Sequence, residues 1–140
     1  MLKAVIDTNV LISGLIKSPL CRKIIRELEK SSFIPVVSPA MLDELVDVLS
    51  RSKFHNVIKK ETAEELLKVI HDQALLVRPT IRLNVVTDDP DDNCFLEAAI
   101  TAGAFCVVSL DPHLLSLEFF ENVRILTPNV FLDELNNRNS

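Results

Sequence analysis

The sequence has no apolar run long enough to cross a membrane. It contains 140 residues, of which 48% are hydrophobic and 25% charged, whereas a bilayer-spanning helix needs about 20 consecutive apolar residues. The opening stretch Met1–Ile6 is also too short, and too soon followed by Asp7, to form a signal peptide. We therefore expect a cytoplasmic protein that makes no membrane contact. Residues 1–140 suffice for one domain and leave little room for a second.

Cysteine, glycine and net positive charge are scarce as well. Cys21, Cys94 and Cys106 have no CxxC spacing and leave one cysteine over, which favours reduced core cysteines over disulfides or a metal centre. Only two glycines occur, and no internal repeat, low-complexity stretch or Gly/Ser linker divides the chain. The net charge of -5 argues against a broad basic surface that follows nucleic-acid phosphates.

Short apolar runs alternate with amphipathic stretches along the chain. The predicted strands are Leu2–Ile6, Phe33–Val37, Leu75–Arg78, Phe105–Ser109 and Val123–Leu126. The predicted helices are Leu20–Lys30, Pro39–Ser50, Ala63–Gln73, Pro90–Ala102, Pro112–Phe120 and Pro128–Asn136. Strands and helices that alternate at this spacing indicate βα units, and hence a parallel sheet with helices on both faces.

The prolines support these boundaries. Five of the seven follow a Ser, Thr or Asp, namely in Ser18-Pro19, Ser38-Pro39, Asp89-Pro90, Asp111-Pro112 and Thr127-Pro128. A side-chain oxygen followed by proline is a helix-start signal, because proline lacks only an amide that is unpaired at that position. Pro35 is the exception, since inside a strand it fits only near the start or at an edge.

Acidic residues stand at two of the predicted strand ends, where ligands of an open parallel sheet collect. Asp7 follows the first predicted strand directly, and Asp111 lies just past the fourth. A single Asp in such a place usually serves a turn or a helix cap, and capping the helix that Pro112 opens would explain Asp111. These two positions alone therefore do not establish a site.

Two helical carboxylates, Glu44 and Asp92, strengthen the case. At about 100° per residue, Glu44 lies at the border of the apolar face of its helix, whereas Asp43 and Asp47 lie on the solvated side. Asp92 lies at the corresponding border of the next helix but one, and Glu97 faces away. We place both border residues in the first turns of helices that begin at the strand rim, and we expect them to converge with the two aspartates.

A cluster of four carboxylates needs a counter-charge, because like charges in one cleft repel one another. No Lys or Arg is adjacent to them in sequence. A hard divalent cation such as Mg²⁺ would neutralise them, since it takes oxygen ligands, and the three histidines are too scattered for a zinc site. Asp88, Asp89 and Asp91 crowd the same helix start as Asp92, and we interpret them as capping residues that complement the helix dipole.

Motifs at these positions resemble the PIN-domain nuclease family. In chain order they are Val5–Ser13, Ser38-Pro39 with Leu42–Leu45, Asp89–Ala99, Val107–Asp111 with Leu114-Leu115, and a closing Ile125–Pro128 with Phe131-Leu132. The resemblance spans nearly the whole chain. It implies a three-layer α/β/α sandwich around a central, mainly parallel sheet of about five strands. It also implies metal-dependent hydrolysis of RNA phosphodiester bonds.

The resemblance also implies roles for individual residues. By position it assigns catalysis to Asp7, Glu44, Asp92 and Asp111, with Asn9 and Ser109 as supporting polar residues. Mg²⁺ or Mn²⁺ held by Asp7, Asp92 and Asp111 would activate a water for attack on the phosphorus. The chain departs from the family pattern around Asp111, which is preceded by Leu110 rather than by Gly or a polar residue.

The resemblance points to the stand-alone, toxin-like branch of type II toxin–antitoxin pairs, and so to an RNA substrate, an antitoxin partner and a homodimer. The expected dimer contacts are the apolar residues Leu114, Leu117, Phe119, Phe120 and Phe131 near the C-terminus. The candidate phosphate contacts are Lys17, Arg22, Lys23 and Arg26. A solvated helix face explains these basic residues equally well.

Three other interpretations fit parts of the pattern. A phosphoacceptor receiver domain would show paired acids after the first strand and a lysine after the last, where this chain has Asp7-Thr8-Asn9 and Thr127-Pro128. A haloacid-type phosphatase would have a second aspartate in place of Asn9. The third, a catalytically weak RNA- or protein-binding module that keeps the acidic cleft, stays open, because fold and ligands do not establish turnover.

Overall fold

Six strands form one sheet in the computed structural model, which describes residues 1–139. The strands are β1 Lys3–Ile6, β2 Ile34–Val37, β3 Leu75–Leu76, β4 Cys106–Val108, β5 Phe119–Phe120 and β6 Val123–Leu126. Their order is β3-β2-β1-β4-β6-β5. Every neighbouring pair is parallel except β5 and β6. The mainly parallel sheet is confirmed, with six strands in place of the expected five.

Seven α-helices accompany these strands within residues 1–139. They are α1 Thr8–Ile16, α2 Pro19–Glu29, α3 Pro39–Leu49, α4 Lys60–Gln73, α5 Asn93–Ala102, α6 Pro112–Leu115 and α7 Pro128–Asn139. Helices α2, α3, α6 and α7 begin at the prolines that the sequence marks as helix starts. The fifth such proline opens a 3-10 turn, Pro90–Asp92, which leads into α5. In the described part of the chain, no helix combines the length and the apolar character that crossing a membrane requires.

The two faces of the sheet carry separate apolar clusters. Successive strand residues point to opposite faces, so Ala4 and Ile6 pack with α1, α2, α4 and α7, whereas Val5 packs with α5 and α6. Residues of β4 alternate in the same way, with Val108 in the first cluster and Val107 in the second. Helices therefore cover both faces, and the predicted three-layer α/β/α arrangement is confirmed. The assignment of residues 1–140 to one domain stays a prediction.

The structure differs most from the sequence-based elements in two places, while α4 begins earlier, at Lys60, and β3 ends earlier, at Leu76. Helix α1 is absent from the predicted elements, and the predicted helix Pro112–Phe120 ends at Leu115. The residues beyond it turn back as the edge strand β5, because Glu118 and Glu121 adopt positive φ angles of 62° and 53°. Such a conformation is uncommon for residues other than glycine, so the composition of this stretch gives no sign of the reversal.

Candidate functional site

The site lies at the carboxyl ends of β1 and β4, which are neighbours in the centre of the sheet. Asp7 follows β1, and its backbone N–H donates to the carbonyl of Val108 at 2.9 Å, which extends the pairing of the two strands by one residue. Ser109 follows β4 directly, and Asp111 comes two residues later. The fold therefore brings the acids of two distant segments to one edge.

Asp7 is the most deeply placed of the four acids, with 2% of its surface exposed. Its Oδ1 atom accepts a hydrogen bond from the backbone N–H of Asn9 at 3.1 Å, which caps α1. Its Oδ2 atom accepts one from the Ser109 hydroxyl at 2.7 Å. Burial raises the pKa of Asp7 to about 6, although these two hydrogen bonds oppose the shift, and the charges of Glu44 and Asp111 add to it.

Ser109 connects two of the acids. Its side chain is fully buried, and while its hydroxyl donates to Asp7 its oxygen accepts a hydrogen bond from the backbone N–H of Asp111 at 2.9 Å. Ser109 therefore links the carboxylate of Asp7 to the backbone of Asp111. Asn9, the other predicted supporting residue, contributes through its backbone N–H, and its side chain is exposed.

Glu44 approaches the site from α3 and is half-buried. It lies in the second turn of that helix, not in the first as predicted. Its Oε2 atom accepts a hydrogen bond from the hydroxyl of the buried Thr8 at 3.0 Å. Thr8 is a positioning residue that the sequence pattern did not single out, because a Thr at the start of a helix has many structural uses.

Asp92 and Asp111 form a close acidic pair. Burial raises the pKa of Asp92 to about 9, and the hydrogen bond with Asp111 and the charges of Asp111, Asp7 and Asp89 raise it further. The pKa of Asp111 is lowered, chiefly by that same hydrogen bond, and the backbone N–H and charge of His113 assist. The two carboxylates therefore interact strongly, and burial disfavours a negative charge on Asp92.

A buried oxygen of this pair receives no hydrogen bond. Asp92 is 7% exposed, and no group within residues 1–139 donates to its buried Oδ2 atom. One carboxylate oxygen each of Asp92, Asp111 and Asp89 lies within 4.8 Å of the other two. This group includes Asp89, for which the sequence predicted only a capping role, and it does not include Asp7 or Glu44.

The donor atoms of this cluster suit a hard cation. All are carboxylate oxygens, the ligands that Mg²⁺ and Mn²⁺ take. Cys94 lies nearby, but burial and the charges of Glu44, Glu97, Asp92 and Asp7 raise the pKa of its thiol to about 12, so it stays protonated. A neutral thiol is a poor ligand. The residues present therefore fit a divalent cation bound through oxygen.

The predicted phosphate contacts lie at the end of α1 and on α2. Among the described residues, no Lys or Arg forms an ion pair with the four acids. Arg22 donates from Nε to the carbonyl of Gly14 and, with Arg26, lines a groove of about 340 Å³ between α2 and α4. Lys23 lines a smaller groove of about 230 Å³ between α2 and α7. Lys17 is exposed at the end of α1.

A family model now identifies this arrangement. The model of the PIN domain matches residues 3–113, a span that contains all four predicted acids. The chain belongs to the PIN domain family. The family resemblance of the sequence motifs is thereby confirmed.

Proteins of known sequence or structure are similar to this PIN domain along most of its length. An uncharacterized protein of Methanocaldococcus jannaschii, MJ1680, is 28% identical over 144 aligned positions, which cover 95% of this chain and 91% of that protein.

Two solved structures share the fold. PAE2754 from Pyrobaculum aerophilum has a TM-score of 0.62 at 15% identity, covering 98% of this chain and 90% of that one. A chain of VapBC2 from Rickettsia felis, crystallised with a DNA fragment from the promoter of the pair, has a TM-score of 0.59 at 16% identity. That match covers 90% of this chain and 98% of the other. At such identities the likeness establishes the fold alone.

Proposed function

We propose that this PIN domain is a metal-dependent endoribonuclease that hydrolyses RNA phosphodiester bonds. Two observations carry the proposal: the carboxylates of Asp89, Asp92 and Asp111 lie close together, and the buried Oδ2 atom of Asp92 has no hydrogen-bond donor within residues 1–139. Acids that share a cleft destabilise the fold by mutual repulsion, roughly 1 kcal/mol or more per close pair even at a high effective dielectric. A purely structural role does not explain this cost. A site that binds a divalent cation next to an RNA phosphate does explain it, because such a site requires several carboxylates close together.

In this proposal Asp7, Asp92 and Asp111 hold Mg²⁺ or Mn²⁺. When bound, such an ion lowers the pKa of a coordinated water and offsets negative charge on the phosphoryl oxygens. Glu44 stands at the side of the cluster with its Oε2 atom held by Thr8. Its Oε1 atom is the group that we assign to accept a proton from the attacking water.

The residues behind the acids keep them in place. Ser109 fixes Asp7 and the backbone of Asp111, and Thr8 fixes Glu44. Hydrogen bonds of this kind orient metal ligands and maintain their basicity. The chain therefore supplies an oriented acidic site, while the exposed residues Lys17, Arg22 and Lys23 remain our candidates for phosphate contacts further along the RNA.

We further propose that the protein acts as the toxin of a toxin–antitoxin pair and binds an antitoxin protein. The fold it shares with a chain of VapBC2 supports this step. A neighbouring open reading frame for a small protein, and copurification of the two chains on coexpression, would test it. If the small protein neither binds nor inhibits the nuclease, the toxin role fails and the nuclease role stands.

We also propose a homodimer, in which fewer of the predicted residues can contribute to the interface. Leu114 and Phe131 belong to the core, both fully buried, and Phe131 meets Phe33 edge to face at 5.1 Å. The prediction that Leu114 and Phe131 lie in the dimer interface is therefore wrong, because neither side chain reaches the surface. Phe119 on the edge strand β5 is 64% exposed, and it is the residue we expect in the interface. Light scattering of wild type and Phe119→Ser would test this, and a monomeric wild type would refute it.

The decisive experiment measures cleavage of labelled single-stranded RNA in Mn²⁺ and in chelator. Wild type should cut internally only with metal, and Asp92→Asn should not cut. Asp43→Asn is the matched control, because Asp43 is exposed on α3 next to Glu44 and belongs to no cluster. Equal products from wild type and Asp92→Asn, or none from any variant on several RNAs, would refute the proposal. RNA that is retained but never shortened would instead support the binding-module alternative.

A further inference from the structure

Three acids surround the turn before α5, and the structure separates their roles. The carboxylate of Asp88 pairs with the imidazole of His113 at 3.4 Å. Asp91 is exposed and lines a neighbouring surface pocket. Asp89 alone of the three joins Asp92 and Asp111, with oxygens of all three within 4.8 Å. Neighbours in sequence therefore differ sharply in what their side chains meet.

The side chain of Asp89 does not cap a helix. It stands at the N-cap position of the 3-10 turn Pro90–Asp92, yet it makes no capping hydrogen bond. Asp7 and Asp111, in contrast, cap α1 and α6 with one carboxylate oxygen each. The capping role expected from the sequence is therefore wrong for Asp89. In the described residues 1–139, no hydrogen bond compensates its charge, which lies beside two other acids.

The backbone holds Asp89 in this unfavourable position. The carbonyl of Asp89 accepts a hydrogen bond from the backbone N–H of Asp92 at 3.0 Å. The buried Asn93 side chain bonds the backbone on either side, at Val86 and at Pro90. The turn is thus anchored before and after Asp89, so its carboxylate stays close to the cluster.

We propose that Asp89 is a direct ligand of the divalent cation, together with Asp92 and Asp111. The inference rests on the proposed metal-dependent function and adds a fifth acid to the four that the family motifs mark. The independent observation is the buried Oδ2 atom of Asp92, which no donor in residues 1–139 reaches. A cation bound by the three acids would offset the repulsion among them and give Asp92 a partner that the chain does not provide. Its affinity rises with the number of charged ligands.

Binding of Mn²⁺ itself tests the inference without an activity assay. Titration calorimetry and electron paramagnetic resonance of free Mn²⁺ would compare wild type with Asp89→Asn, Asp89→Ala, Asp91→Asn and Asp92→Asn. We expect both Asp89 variants to bind at least ~10-fold more weakly, as loss of an interaction around a metal typically does. Asp91→Asn should bind as wild type does, since it removes the same charge from the same turn without touching the cluster.

Melting temperatures separate a ligand from a structural residue. In chelator, Asp89→Asn should melt at or above the temperature of wild type, because it relieves repulsion. In Mn²⁺ it should melt below wild type, because it binds the ion less well. Wild-type affinity in both Asp89 variants, with binding lost in Asp92→Asn, would overturn the role of Asp89 and leave the proposed function intact. A lower melting temperature in chelator would assign Asp89 a structural role, and a wild type that binds no Mn²⁺ would refute the proposed function itself.

Discussion

Removal of the Asn93 side chain should loosen the segment that carries the outer acids. Asn93 is 4% exposed and makes four hydrogen bonds to the backbone. Its Oδ1 atom accepts from the N–H groups of Val85 and Val86, both at 3.0 Å. Its Nδ2 atom donates to the carbonyls of Val86 and Pro90, both at 2.9 Å. The substitution Asn93→Ala removes all four bonds and adds none.

The size of the effect follows from the burial of the groups that are left behind. Both bonds to Val86 are buried, and an unsatisfied buried group costs about 1–3 kcal/mol. The partners in Val85 and Pro90 are partly exposed, so water replaces Asn93 there at a smaller cost. We expect a total loss of about 3–5 kcal/mol against a typical stability of about 5–15 kcal/mol. The melting temperature should fall by about 10–20 °C.

Urea unfolding followed by circular dichroism in chelator measures this loss directly. Asn84→Ala is the matched control, because Asn84 is exposed in the same segment and should change the stability by no more than about 0.5 kcal/mol. Asn93→Ala should also bind Mn²⁺ more weakly than wild type, since Asp89 and Asp92 flank the loosened turn. A loss below about 1 kcal/mol, the range of an ordinary single substitution, would show that Asn93 does not hold this segment.

Three more expectations concern the acids themselves. Millimolar Mg²⁺ or Mn²⁺ should raise the melting temperature of wild type and of Asp43→Asn but not of Asp7→Asn, because only a folded site binds the ion; an unchanged wild type would contradict this. Folding raises the pKa of Asp7 to about 6 and that of Asp92 to about 9, from an ordinary value near 4. In chelator, the stability that these two residues contribute should therefore be fully present below about pH 4. It should be lost as the pH rises through about 6 for Asp7 and about 9 for Asp92. The melting temperature should therefore fall more steeply with rising pH for wild type than for Asp7→Asn. Equal pH dependence in the two proteins would contradict a raised pKa of Asp7. Ser109→Ala, which frees Asp7, should weaken Mn²⁺ binding by about 10–100-fold, and titration calorimetry with unchanged affinity would exclude a positioning role for Ser109.

Much of the fold could be predicted because its signals are local. Ser18 and Ser38 each cap a helix that begins at the following proline, as the sequence indicated. Gly103 ends α5 with a φ of 64°, a conformation that suits glycine. Strand residues alternate between two buried faces, so short apolar runs sufficed to locate them. Each of these features depends on a few adjacent residues.

Helix α1 shows where local signals fail. Its residues Val10, Leu11, Ile12 and Gly14 are all buried, because α2 packs against it. A helix that is apolar on nearly every side has no polar face to reveal its period. The close approach to α2 at Gly14, where a Cβ atom would lie 3.0 Å from the backbone of Cys21, is likewise invisible without the second helix.

The candidate site divides in the same way between what is local and what is not. The helical wheel placed Glu44 and Asp92 at the inner border of their helices because that border is set by the apolar residues around them. Asp89 could not be placed by this means, since Asp89-Pro90 is an ordinary capping signal in sequence. Only the three-dimensional contacts distinguish a carboxylate that accepts backbone hydrogen bonds from one that accepts none.

The acids can therefore be ranked by the number of hydrogen bonds that the chain donates to their carboxylates. Both oxygens of Asp7 accept hydrogen bonds from the chain, Glu44 accepts one from Thr8, and Asp111 accepts one from the backbone N–H of His113 besides its bond with Asp92. Within residues 1–139 the carboxylate of Asp89 makes no capping bond and the buried Oδ2 atom of Asp92 has no donor. A buried oxygen without a hydrogen-bond donor has the largest free-energy cost. A cation would therefore stabilise the protein most by binding where the chain provides no donor. In the proposed metal site, Asp7 and Glu44 would act as a fixed support, and the turn before α5 would present the oxygens that a bound divalent ion neutralises.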